Sequence, residues 1–168
     1  DAGLVFFDDA LGHISRACRV LGQPRGSILL VGLGGSGRRS LTRLASFVLD
    51  QQCREIRLTR QYGMNEWRVD LKEAMLEAGL NKAGRPVTLL LSDTEILNES
   101  FLENLNCVLN SGDVPNLYEN EDRDRILDGM RYVTQSESHS DEGGIGADAI
   151  FARYVLRVRE NFRLALAL

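Results

Sequence analysis

SILLVGLGGSGRRS, residues Ser27–Ser40, is a short apolar run feeding a loop with four glycines. The spacing follows the phosphate-binding pattern G-x-x-x-x-G-K-[ST]: Gly32 and Gly37 hold the glycine positions, Arg38 stands where the lysine belongs, and Arg39 replaces the Ser/Thr. In such a loop the glycines let backbone N–H groups converge on phosphate oxygens, and the helix that follows adds partial positive charge at its N-terminus. The predicted nucleotide-binding set is Gly32, Gly34, Gly35, Ser36, Gly37, Arg38, Arg39, Ser40 and Leu41. Its side chains are altered more than its backbone. Arginine carries the lysine's charge on a longer planar fork. The hydroxyl that would ligate Mg²⁺ is missing at Arg39, and Ser40 comes one residue late, turned by about 100° around the helix.

A second carboxylate should stand at the end of a buried strand. Val87–Leu91 is a continuous apolar run introduced by Pro86, and Ser92-Asp93-Thr94 follows it. Asp93 supplies the carboxylate that would organise Mg²⁺ together with Ser40. Thr94 occupies the place of the glutamate that orients the attacking water in hydrolysing AAA+ enzymes, so no catalytic residue is assigned. Glu95 is displaced by one, which on a strand turns it to the opposite face. Loss of a positioned base costs on the order of 10² to 10⁴ in rate, so slow hydrolysis is expected. The plainer reading of Asp93 is a strand-end turn residue.

The rest of the chain gives the loop its context. Helical spacing runs from Leu4 to Leu21, and Gly22 and Pro24 stop it. Ser27–Val31 reads as a strand buried on both faces, and the glycine loop opens a helix carrying Leu41, Leu44, Ala45 and Val48. Arg54–Leu58 reads as a second strand. Asn65 is the expected cap of a helix with Trp67, Leu71, Ala74, Met75 and Ala78 on its buried stripe and Gly79 at its end. Further helices are expected over Phe101–Leu109, Asp122–Met130 and Ile150–Glu160, a mobile loop over Ser136–Gly146, and a closing strand from Phe162. Strands alternating with helices argue for an α/β layer with a mostly parallel sheet.

Composition narrows the classes. A chain of 168 residues suits one domain. A hydrophobic content of 43% and a charged content of 26% are those of a globular protein, and no apolar stretch is long enough to span a bilayer. A net charge of -4 argues against a nucleic-acid surface. Cys18, Cys53 and Cys107 form no C-x-x-C pair, which fits a reducing, cytosol-like compartment. His13 and His139 belong to no metal-ligand constellation, and no nucleophile elbow supports Ser-His-Asp chemistry. With no initiating Met, and with Phe162–Leu168 ending in an apolar alternation, the chain reads as part of something larger.

Several ordered segments then converge: Pro24-Arg25-Gly26, the glycine loop with its Ser40-Leu41-Thr42-Arg43-Leu44-Ala45 continuation, Tyr62-Gly63-Met64-Asn65-Glu66-Trp67-Arg68, Ser92-Asp93-Thr94, the run Leu109–Leu117, and Arg157-Val158-Arg159-Glu160-Asn161. On these the chain resembles the fourth AAA+ module of dynein heavy chains, the axonemal ones more closely than the cytoplasmic one. The resemblance implies a P-loop NTPase (AAA+) three-layer αβα sandwich over residues 1–168, a single large subdomain truncated at its C-terminal end. It implies ATP or ADP as ligand, with Mg²⁺ where present on Ser40 and Asp93, and Leu4 and Val5 near the adenine. Arg39, Ser40 and Thr94 match the ciliary pattern, and Arg38 departs further from it. Implied partners are the neighbouring AAA+ modules of the same heavy chain, microtubules through the parent's stalk, and dynein intermediate and light chains through the parent, with no nucleic acid and no membrane. The implied location is the cytoplasm and cytoskeleton, at the axoneme of a cilium or flagellum. A free-standing P-loop phosphotransferase and an interaction module without ligand are the alternatives.

Overall fold

In a computed structural model, residues 8–137 and 146–168 are described. The elements are α1 (Asp8–Leu21), β1 (Ile28–Leu30), α2 (Arg38–Val48), β2 (Gln52–Glu55), α3 (Met64–Leu80), β3 (Val87–Ser92), α4 (Glu99–Ser111), α5 (Asn120–Glu137), α6 (Ala147–Asn161) and β4 (Phe162–Ala167), with a 3₁₀ turn at Asp93–Glu95. Among the described residues the sheet has four strands in the order β1-β4-β3-β2, all parallel. Parallel pairing needs a crossover between strands, and α2, α3 and the α4–α6 group supply them. The expected α/β architecture with a parallel sheet is observed.

The alternating pleat of β3 and β4 sorts the two faces. Val87, Leu89, Leu91, Phe162 and Leu164 enter the main core with Trp67, Leu71 and Met75 of α3, Phe101 and Leu105 of α4, Ile126 and Met130 of α5, and Tyr154 and Val158 of α6. On the other face Leu90, Ala165 and Ala167 pack with Ile28 and Cys53, next to a smaller cluster of Ala17, Leu21 and Ala45 from α1 and α2.

Several sequence expectations shift. β1 is an edge strand with Leu29 56% exposed, and Val31 just past its end is 77% exposed, so the segment is not buried on both faces; only β4 pairs with β1 among the described residues. β4 and β3, the two central strands, are the ones buried on both faces. β2 begins and ends earlier than Arg54–Leu58, because Gln52 is already in register with Val87 and its N–H bonds the Pro86 carbonyl at 3.0 Å. Asn65 lies inside α3, whose N-cap is Gly63; the Glu66 carboxylate accepts the Gly63 N–H at 2.9 Å and fixes the start. The expected loop at Ser136–Gly146 falls almost wholly outside the described residues, as do Leu4 and Val5.

Gly79 does not end α3, which runs on to Leu80. The last carbonyls of that helix are taken from across the fold: Arg157 donates from Nε to Gly79 O at 2.9 Å and from Nη2 to Asn81 O at 2.8 Å, and Asn161 Nδ2 donates to Ala78 O at 3.1 Å. These contacts satisfy helix-end acceptors that would otherwise lack a partner, and they give the Arg157–Asn161 segment a structural role. Arg163, buried in β4, spends its donors the same way, on the carbonyls of Leu21, Glu160 and Phe162. It ties the ends of α1 and α6 to the central strand.

Candidate functional site

β1 delivers the chain to the loop at the end of the sheet. The Leu168 N–H bonds Leu30 O at 2.9 Å and the Gly32 N–H bonds Leu168 O at 3.0 Å, so β4 continues to brace the loop where β1 stops. Gly37, the N-cap of α2, sits at φ 78°, and Gly35 at φ 79°. A side chain would strain both, and this left-handed backbone turns the chain into the first turn of α2, closed by the Leu41 N–H to Gly37 O at 2.8 Å. The first N–H groups of α2 have no acceptor within the helix, and they open onto a cavity of about 380 Å³ lined by Gly35, Ser36, Gly37, Arg38, Arg39, Ser40, Ser92, Asp93 and Ala167.

The fold thus brings the glycine loop and the end of β3 to one cavity, with Ser40 and Asp93 both on its wall. Gly32, Gly34 and Leu41 belong to the same strand-loop-helix segment without lining it. A Cβ at Gly34, Gly35 or Gly37 would meet nothing within 4 Å. The loop therefore offers open space at its backbone, which suits an oxyanion cradle.

The two arginines behave differently. Arg38, in the lysine position, folds across the loop and donates from Nη2 to Leu33 O at 3.2 Å and from Nη1 to Leu168 O. No carboxylate among the described residues is bonded to it, so its charge remains available at the cavity. Arg39 turns towards the sheet: Nη2 meets Glu55 Oε2 at 2.8 Å and Nη1 meets Glu95 Oε1 at 2.9 Å. Its Nε is buried with no acceptor on the protein. Arg43, one turn further along α2, also grips Glu55, with Nη2 to Oε2 at 2.7 Å.

Glu95 overturns the strand-based expectation. Residues Asp93–Glu95 leave β3 as a 3₁₀ turn, so the alternation of a strand no longer applies. The Glu95 carboxylate bends back, accepts the Ser92 N–H at 2.8 Å through Oε2, and gives its other oxygen to Arg39; the residue is 4% exposed. Asp93 Oδ1 accepts the Thr94 N–H at 2.9 Å, as a strand-end turn residue does, while its side chain still faces the cavity. Thr94 Oγ1 and Ser92 Oγ share a hydrogen bond of 2.9 Å.

Glu55 and Glu95 were not singled out as functional from the sequence. The available signal was the pair Arg39 and Arg43, four apart on one helix face and therefore in need of acidic partners.

The Arg43 hydrogen bonds, reinforced by Arg39, hold the Glu55 carboxyl at about 2, well below its ordinary 4.5, against the opposing effect of burial. A carboxylate depressed in the folded state contributes stability above its unfolded pKa and loses it as pH falls towards the folded value. Urea midpoints should therefore drop as pH falls from about 4.5 to about 2. Glu55→Gln should lower stability at pH 7 and flatten that part of the profile; an unchanged slope would show that the pair contributes nothing.

Among the described residues no helix is long and apolar enough to cross a membrane, and no cluster of His, Cys, Asp and Glu could hold a metal ion.

Comparison with known proteins places this geometry. The family described as "P-loop containing dynein motor region D4" matches residues 3–168. Dynein axonemal heavy chain 1 of Homo sapiens is 47% identical over 166 residues, 98% of this chain. The Mus musculus protein of the same name is 46% identical over the same share. The Dynein-1-beta heavy chain of the flagellar inner arm I1 complex of Chlamydomonas reinhardtii is 44% identical over 165 residues. The chain spans about 4% of the length of each of these relatives.

Proposed function

The chain belongs to the family of P-loop-containing dynein motor D4 regions, and from that premise we propose that it is a regulatory AAA+ module of an axonemal dynein heavy chain, binding ATP or ADP and hydrolysing it poorly. Its work is done through the parent: it contributes to an ATP-driven microtubule motor of cilia and flagella, alongside the neighbouring AAA+ modules and the associated intermediate and light chains. The glycine-loop backbone and the Arg38 guanidinium would hold the phosphates. A bound nucleotide supplies the ordering of the loop and the strand ends around it; the chain's own residues supply binding and orientation.

The observation that carries the low-turnover reading is the state of Glu95. The acid nearest to the water-orienting position is buried, bonded to the Ser92 N–H and closed on Arg39, while Thr94 has no group able to accept a proton from water. A general base must reach its proton within hydrogen-bonding distance, and neither residue is arranged to do so.

The test uses the intact parent chain with its other nucleotide loops disabled. Photo-crosslinking with an azido-adenine nucleotide should label this module, and steady-state turnover should stay well below ~1 s⁻¹. Labelling with turnover above that rate would refute the low-activity reading. Absence of labelling, with no thermal stabilisation at millimolar nucleotide, would make the module a binding partner without ligand.

A further inference from the structure

The residues at this cavity do not fit a divalent ion. Mg²⁺ demands near-octahedral oxygen coordination and is normally held by one or two carboxylates together with substrate phosphates. The position that would offer the Ser/Thr hydroxyl carries Arg39 instead. The two glutamates beside it, Glu55 and Glu95, are already closed on its guanidinium at 2.8 and 2.9 Å, and Arg43 takes a further share of Glu55. Ser40 and Asp93 remain on the wall, and one Asp93 oxygen is engaged by the Thr94 N–H. Arg39 is fixed where it stands, because its two carboxylate partners come from separate elements, the end of β2 and the turn after β3.

We propose that this site takes adenine nucleotide free of magnesium: Arg39 fills the place of the metal's hydroxyl ligand, and its guanidinium is closed on Glu55 and Glu95. The inference rests on the nucleotide-binding reading above and sharpens it. Arg39 and Arg43 are taken up by Glu55 and Glu95, while Arg38 and Asp93 stand at the cavity without an ion-pair partner among the described residues. Arg38 adds a charge that no carboxylate neutralises among the described residues, and the N-terminus of α2 adds partial positive charge. Arg38 and the α2 N-terminus are the groups left to meet the phosphates, and neither needs a metal to do so. Magnesium should leave occupancy unchanged or lower it, the opposite of its effect at a P-loop whose Ser/Thr hydroxyl directly follows the loop's basic residue.

The experiment is azido-adenine nucleotide crosslinking of the intact parent chain, with label counted on peptides of this module, in excess Mg²⁺ and in excess EDTA. Label in EDTA at least equal to that in Mg²⁺ is the expected result. A drop of about tenfold or more in EDTA, equivalent to about 1.4 kcal/mol, would overturn the proposal and leave the nucleotide-binding reading standing. No label in either arm would overturn both. Arg39→Thr should make the label depend on magnesium, and Arg39→Lys, which keeps the charge, should not. If the threonine variant does not fold, the wild-type comparison in the two arms still decides.

Discussion

Replacing Trp67 with alanine should lower the unfolding free energy of this chain by about 3–5 kcal/mol, the range for deleting a large aromatic from a packed core. Trp67 is fully buried and stacks on Phe101 with ring centroids 4.5 Å apart and planes 6° from parallel; Tyr62 meets Phe101 edge-on at 6.5 Å. The indole N–H has no partner on the protein, so truncation removes apolar packing and strands no hydrogen-bond acceptor. Trp67 comes from α3 and Phe101 from α4, and the void would open between the two helices. Because this is the sole tryptophan, unfolding in urea should be followed by far-UV circular dichroism. A loss under about 1 kcal/mol would mean that the surroundings collapse into the space, at the lenient end of what cores do.

Gly79→Val should cost about 3 kcal/mol, at the upper end of the range for overpacking. Even the first carbon of a side chain there would lie 2.2 Å from Tyr154 Cε2 and 2.5 Å from Cδ2, with Val158 Cγ2 at 3.0 Å. The ring has nowhere to retreat: Tyr154 is fully buried and its hydroxyl is hydrogen-bonded to that of Tyr118 at 2.8 Å. Gly12→Ala in α1 is the contrasting case. A Cβ at Gly12 meets nothing within 4 Å, so the better helix propensity of alanine should stabilise the chain by about 0.5–1 kcal/mol. Equal signs for the two glycine substitutions in urea titrations would show that propensity, and not the α3–α6 contact, governs Gly79.

The same pair shows how far the sequence could be read. Gly12 and Gly79 both interrupt a helical pattern, and local rules treat each as a weak point or a stop. Gly79 is in fact a place where Tyr154 and Val158 of α6 press against α3, which only the partner helix reveals. The glycine loop was legible because its requirement is local: left-handed backbone at Gly35 and Gly37 between a strand and a helix. Glu95 was misplaced because its face was inferred from a strand that ends three residues earlier, at Ser92, before the turn that begins at Asp93. Glu55 went unassigned because its partners lie 12 and 16 residues away on another element.

By itself the sequence determined the alternation of strands and helices, the phosphate-type loop, the missing hydroxyl and base at Arg39 and Thr94, and the resemblance to dynein modules. These follow from residue type and short-range spacing, which survive without knowledge of the fold. Tertiary structure alone decided that β1 is an edge and β4 is central. It also decided where the charge on Arg39 goes, because a guanidinium on a helix chooses among acids that only the parallel crossovers bring within its reach.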